Sequence, residues 1–165
     1  MFQRLLLLTI AIFSLAACNR DNVSLQRNPQ GGVDITVNAS ESDVNTVISN
    51  ALAKTANPLV RNPSIDLQNG QIVISGEHDK RDGSGQRVSG TITLVLSVEN
   101  GALKAQVTAV NIEGYTADDQ RIAEINQRIE QALQGRALRD NPNVNLTAIS
   151  VTDNDLTFTL NATRS

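Results

Sequence analysis

Cys18 is the only thiol of the chain and His78 its only imidazole, so nucleophilic, metal or acid-base chemistry has to be sought around them or among the carboxylates. His78 lies in Gly76-Glu77-His78-Asp79-Lys80-Arg81-Asp82-Gly83-Ser84-Gly85, where Glu77, Asp79 and Asp82 are the group types a cation site or a proton relay needs. The same run is rich in glycine and charge, which reads as a solvated loop between strands, and no second cluster elsewhere offers it a partner. Asp118-Asp119 are paired carboxylates, but behind Thr116 they fall where the first turn of a helix takes acids for its dipole. Asp153-Asn154-Asp155 opens like a calcium loop and then puts Phe158 where the sixth-position glycine belongs, so it reads as a turn. Gly83, Gly85 and Gly90 lack phosphate-loop spacing and open no helix. The chain is therefore read as a non-enzyme with no metal and no cofactor. A hydrolase would require His78 and its carboxylates to converge in a cleft.

Cys18 offers a different chemistry through its position. Arg4 precedes an apolar run, Leu5 to Leu15, that is too short to span a bilayer and fits a signal peptide. The run ends in Leu15-Ala16-Ala17-Cys18, which resembles the lipobox of bacterial lipoproteins, where cleavage before a cysteine leaves that residue to carry lipid. On this reading residues 1–17 are the signal peptide, and acyl chains of the palmitate kind on Cys18 hold the protein to a bacterial membrane, outside the cytoplasm, in the cell envelope. An ordinary signal peptide or an N-terminal transmembrane helix with a chance cysteine is the alternative. With Cys18 so used, no thiol remains for a disulfide.

Composition narrows the rest. The formal net charge is −3 and Arg4 is the only charged residue before Cys18, so the remainder is slightly more acidic and has no footprint for nucleic acid. Phe2 and Phe13 precede Cys18, leaving Tyr115 and Phe158 as the aromatic residues, too few for stacking platforms. The core must be aliphatic.

Residues 18–32 are polar, with one proline and a glycine pair, and read as a flexible tether; residues 33–165 read as one α+β domain. Val33 to Val37 alternate as a strand. Ser40-Glu41-Ser42-Asp43 is a cap for a helix whose apolar stripe is Val44, Val47, Ile48, Ala51 and Leu52, with Asn45, Ser49, Asn50 and Lys54 mostly opposite. Ser64 to Gln68 and Gln71 to Ser75 flank Asn69-Gly70, and Gln86 to Glu99 and Ala102 to Ile112 flank Asn100-Gly101; both dipeptides fit type I′ hairpin turns. The apolar phase slips between Val107 and Val110, which marks a bulge. Thr116 to Asp119 caps a second helix with the stripe Ile122, Ile125, Ile129 and Leu133, stopped at Gly135 or Asn141-Pro142. Val144 to Val151 and Leu156 to Leu160 make a closing hairpin. Each helix is followed by an Asn-Pro pair and a hairpin, a weak internal repeat. The architecture expected is two amphipathic helices packed on a curved antiparallel β-sheet.

The order of these elements, and phrases such as Ile65-Asp66-Leu67-Gln68-Asn69-Gly70-Gln71-Ile72-Val73-Ile74, Thr93-Leu94-Val95-Leu96-Ser97-Val98-Glu99-Asn100-Gly101 and Ile149-Ser150-Val151-Thr152-Asp153-Asn154, resemble the LmeA-like phospholipid-binding proteins, related to the tubular lipid-binding (TULIP) superfamily. The resemblance covers roughly Val33 to Thr163. It implies a TULIP-like half-barrel wrapping a helix, with an apolar groove for acyl chains lined by Val44, Val47, Ile48, Leu52, Ile122, Ile125, Ile129 and Leu133 from the helices and by Leu94, Leu96 and Val107 from the sheet. The chain is shorter than the larger members, which implies a shallow groove instead of a full tube. Two readings of function follow. One is a membrane-anchored lipoprotein that binds or shuttles phospholipid; the other is an adaptor lipoprotein with a fully packed core whose surface binds another envelope protein.

Overall fold

The computed structural model describes residues 22–29, 31–54, 59–80, 82–139 and 143–163, with the side chains of 136–139 excepted. Cys18 and the segment 1–17 lie outside the described residues, and so do the expectations placed on them. The elements run β1 (Val23–Arg27), β2 (Val33–Ser40), α1 (Glu41–Ala53), β3 (Arg61–Gln68), β4 (Gln71–Asp79), β5 (Arg87–Glu99), β6 (Ala102–Asn111), α2 (Gln120–Arg139), β7 (Val144–Val151) and β8 (Asp155–Ala162).

The fold is α+β, but the strands form two open antiparallel sheets, ordered β1-β2-β8-β7 and β3-β4-β5-β6, where a single sheet was expected. Alternation fixes which face of a strand is buried, not which hairpin it joins. The last hairpin pairs through β8 with β2, near the other end of the chain, and not with β6.

Local chemistry explains most boundaries. Ser40 and Asp43 form the expected capping box, the Ser40 hydroxyl accepting from the Asp43 N–H and the Asp43 carboxylate accepting from the Ser40 N–H at 3.1 Å. The second helix begins later than Thr116. Asp119 N–H closes a turn onto the Thr116 carbonyl, and the Asp119 carboxylate accepts from the Arg121 N–H at 2.8 Å, so Asp119 satisfies the first helical turn. Gly135, with φ 60°, interrupts α2 near its end.

The expected bulge is Thr108, an extra residue between the pairs Thr93↔Ala109 and Leu94↔Val107. Thr147 is its counterpart on β7, between Leu146↔Leu160 and Ala148↔Thr159. Each threonine hydroxyl donates across to a carbonyl of the neighbouring strand, Thr108 to Thr93 and Thr147 to Thr159.

Two expectations change. Asn100 and Gly101 both take positive φ, as a type I′ turn requires, but at Asn69-Gly70 only Gly70 does. That turn is held from outside: the Asp153 carboxylate accepts from the Asn69 N–H at 2.9 Å and the Val151 carbonyl accepts from the Gly70 N–H at 3.0 Å. Within the expected tether, Val23–Arg27 form β1, paired with β2 from Val23↔Val37 to Arg27↔Val33. Apolar Val23 and Leu25 alternate with polar Ser24 and Gln26, a strand signal too brief to stand out from the polar run around it.

Three of the four sheet edges are closed by groups from elsewhere in the chain. On β3, the Ile65 N–H donates to Asn45 Oδ1 and the Leu67 N–H to Glu41 Oε2, while Ser49 Oγ donates to the Pro63 carbonyl. Glu41, Asn45 and Ser49 repeat every fourth residue on α1, so this polar stripe bonds a strand edge instead of facing only solvent. On β6, the Ala105 N–H donates to Glu130 Oε1 of α2 at 2.9 Å. On β7, the Leu146 N–H donates to the Gly101 carbonyl, and the Val151 carbonyl accepts from Gly70. Both Asn-Gly turns of one sheet thus dock on the edge of the other.

Glu130→Ala orphans a strand N–H. It is expected to lower the unfolding free energy by about 1–3 kcal/mol in urea titration, with Glu130→Gln recovering most of the loss because it keeps an acceptor.

Candidate functional site

The helix stripes and the inner sheet faces meet in one apolar interior. Val44, Ile48 and Leu52 of α1 and Ile122, Ile125, Ile129 and Leu133 of α2 are buried in it, with Val47 partly buried at its margin. From the sheet come Leu94 and Val107, buried, and Leu96, partly buried. The residues named from the resemblance therefore lie in a single cluster, with Ile48, Leu94, Ile122 and Ile129 at 0 % exposure. The same cluster takes in Ile35, Val37, Phe158 and Leu160 from the sheet that sequence reading did not separate. Their alternation was visible; their arrival in the same cluster as the helix stripes was not.

Besides His78, one polar side-chain atom at the margin of this interior is buried. Asn126 sits on α2 beside Ile122, Ile125 and Ile129, and its amide oxygen is the buried side-chain atom left without a hydrogen-bond partner among the described residues.

His78 is not in a loop. β4 runs on through Asp79, and alternation places Ile72, Ile74 and His78 on the inner face with Glu77 and Asp79 outside. His78 is 5 % exposed, its Nδ1 lies 3.3 Å from the Asp79 carbonyl oxygen, and its ring edge rests over Gly90, where a Cβ would come within 2.8 Å of His78 Cδ2 and 2.9 Å of Ile112. Asp79 pairs with Arg61 at 3.0 Å and with Arg87 at 3.6 Å, and Glu77 with Arg87 at 3.7 Å, all on the exposed face. Strand alternation thus splits the Glu77, His78, Asp79 group across two faces, and these residues do not share a cleft. The signal lay in the even-numbered positions of β4; Gly76 broke the apolar pattern and hid the continuation.

The remaining polar candidates are structural in their surroundings. Asp82 is fully exposed, and hydrogen bonds from Ser84 hold its carboxyl below the usual carboxylate range, which keeps it ionised and shapes the turn. Asp153 anchors the Asn69 turn. Tyr115 is half-buried against the interior, its hydroxyl accepting from Arg121 Nη1 at 2.7 Å, and the Arg121 guanidinium stands 5.4 Å from the ring centre. Among the described residues, no group of three or more His, Cys, Asp or Glu is placed to hold a metal ion, and no helix is long and apolar enough to cross a membrane.

The arrangement offers aliphatic area and almost no fixed polarity, which is chemistry for contacting hydrocarbon. Comparison with curated proteins and with solved structures gives no match. A model of the LmeA-like phospholipid-binding family matches residues 9–161, nearly the whole chain, and the chain belongs to that family.

Proposed function

We propose that this protein binds phospholipid acyl chains in the interior bounded by α1, α2 and the two sheets, and carries or shuttles them without altering them. The observation that carries the reading is the convergence of both helix stripes in one aliphatic cluster, in a chain of a phospholipid-binding family. Each methylene withdrawn from water into such a lining is worth about 0.8 kcal/mol, so affinity grows with chain length and depends little on the head group.

Entry requires a helix to part from a strand edge. The β3 and β6 seams are each held by a few side-chain hydrogen bonds and are the natural places to open. A TULIP-like half-barrel around a helix is the form this opened state takes. Acylation of Cys18 keeps the domain beside its supply of ligand, outside the cytoplasm of a bacterium.

The near-complete burial of Ile48, Ile122 and Ile129 favours a second reading, in which the core is fully packed and the protein is an adaptor for another envelope protein. One experiment separates the two. A soluble form starting at Asn19, purified without detergent, is extracted and its small molecules weighed by mass spectrometry beside a control protein. Enriched phospholipid is the expected result. A lipid-free protein that also takes up no added phospholipid overturns the carrier and favours the adaptor.

A further inference from the structure

We propose that the β1 edge is a membrane-seating surface, laid against the lipid head groups of the bilayer that anchors the chain; this rests on the acylation of Cys18 in the reading above. β1 is the fourth sheet edge, and no group among the described residues closes it. Four of its five residues are exposed; Val23 alone is partly buried against the core, so beyond Val23 the strand is held by its ladder to β2. Register places Val23 beside Val37 and Leu25 beside Ile35, so the apolar face of the sheet runs past the core onto β1. There Leu25 stands 59 % exposed, the one large apolar side chain so placed among the described residues.

The occupant follows from the chain outside this strand. Cys18 precedes Val23 by five residues, which span at most about 18 Å when fully extended. An acyl group on Cys18 therefore brings β1 to the bilayer before any other element. At head-group depth the unpaired N–H and C=O groups of the edge find phosphates and water, Leu25 reaches the acyl boundary, and Arg27 two residues on faces anionic lipid. A second copy of the chain paired edge to edge is the competing occupant.

The absence of tryptophan makes the test direct. The full acylated chain carrying Leu25→Trp is reconstituted in vesicles of phosphatidylcholine and phosphatidylglycerol containing nitroxide-labelled lipid, beside the same chain carrying Ser97→Trp at an exposed site on β5. The expected result is strong quenching by the labelled lipid at position 25 and none at position 97. Acylated protein whose position-25 indole is unquenched by lipid and fully open to an aqueous quencher overturns the proposal and leaves the anchoring reading standing. Failure to find an acyl mass on Cys18 in that preparation overturns both. A blue shift of the position-25 indole in vesicle-free soluble protein that grows with concentration overturns it in favour of the second copy.

Discussion

Ile129→Ala is expected to lower the unfolding free energy of lipid-free protein by about 3–4 kcal/mol, and to give part of that loss back when phospholipid is added. Ile129 is 0 % exposed on α2, in the cluster that joins both helices to both sheets, so truncation removes buried methylenes and leaves a void that surrounding rigid strands fill poorly. The lipid dependence is the informative part. A ligand that binds only the folded state stabilises it in proportion to the logarithm of its concentration over its dissociation constant, and an acyl chain can occupy volume that the side chain has vacated. Denaturant titrations with and without phospholipid measure both effects. Equal losses in the two conditions would place the acyl chain away from α2 and count against the proposed interior.

Gly76→Ala is expected to cost about 3 kcal/mol, with no dependence on lipid. Gly76 faces the bulge between Arg61 and Ser64 on the neighbouring strand, and a Cβ there would meet the Arg61 carbonyl oxygen at 2.6 Å and the Val60 methyl more closely still. A side chain can rotate away; a carbonyl fixed in a strand cannot. Val60→Ala placed on top should therefore fail to restore stability. A melting curve for Gly76→Ala that overlays the parent would show that the β3 bulge yields freely.

Much of this architecture was legible in local chemistry. The Ser40 cap, the Asn100-Gly101 turn, the Thr108 phase slip and both helix stripes were each specified within a few residues, and each is present. What the sequence hid was set by distant partners. The split into two sheets depends on β2 pairing with β8. The form of the Asn69-Gly70 turn depends on Val151 and Asp153, and the role of Glu41, Asn45 and Glu130 depends on strand edges that only the tertiary fold presents to them. The candidate interior was legible as stripes, because a 3.6-residue period declares a buried face. The place of His78 was not, because a glycine interrupted the two-residue period that would have declared it.

The pairing of β2 with β8 also sets an order of events in folding. The sheet β3-β4-β5-β6 is a meander of neighbouring hairpins and can assemble as soon as those residues are available. The other sheet joins Val33 to Ala162 across almost the whole domain, so it must wait for the last strand and for the closure of a very long loop. A chain emerging from its N-terminus would therefore hold β1 and β2 unpaired with β8 until Asp155–Ala162 have been made. Losing the last few residues of β8 should then do more harm than their number implies, by leaving one half of the molecule unable to begin.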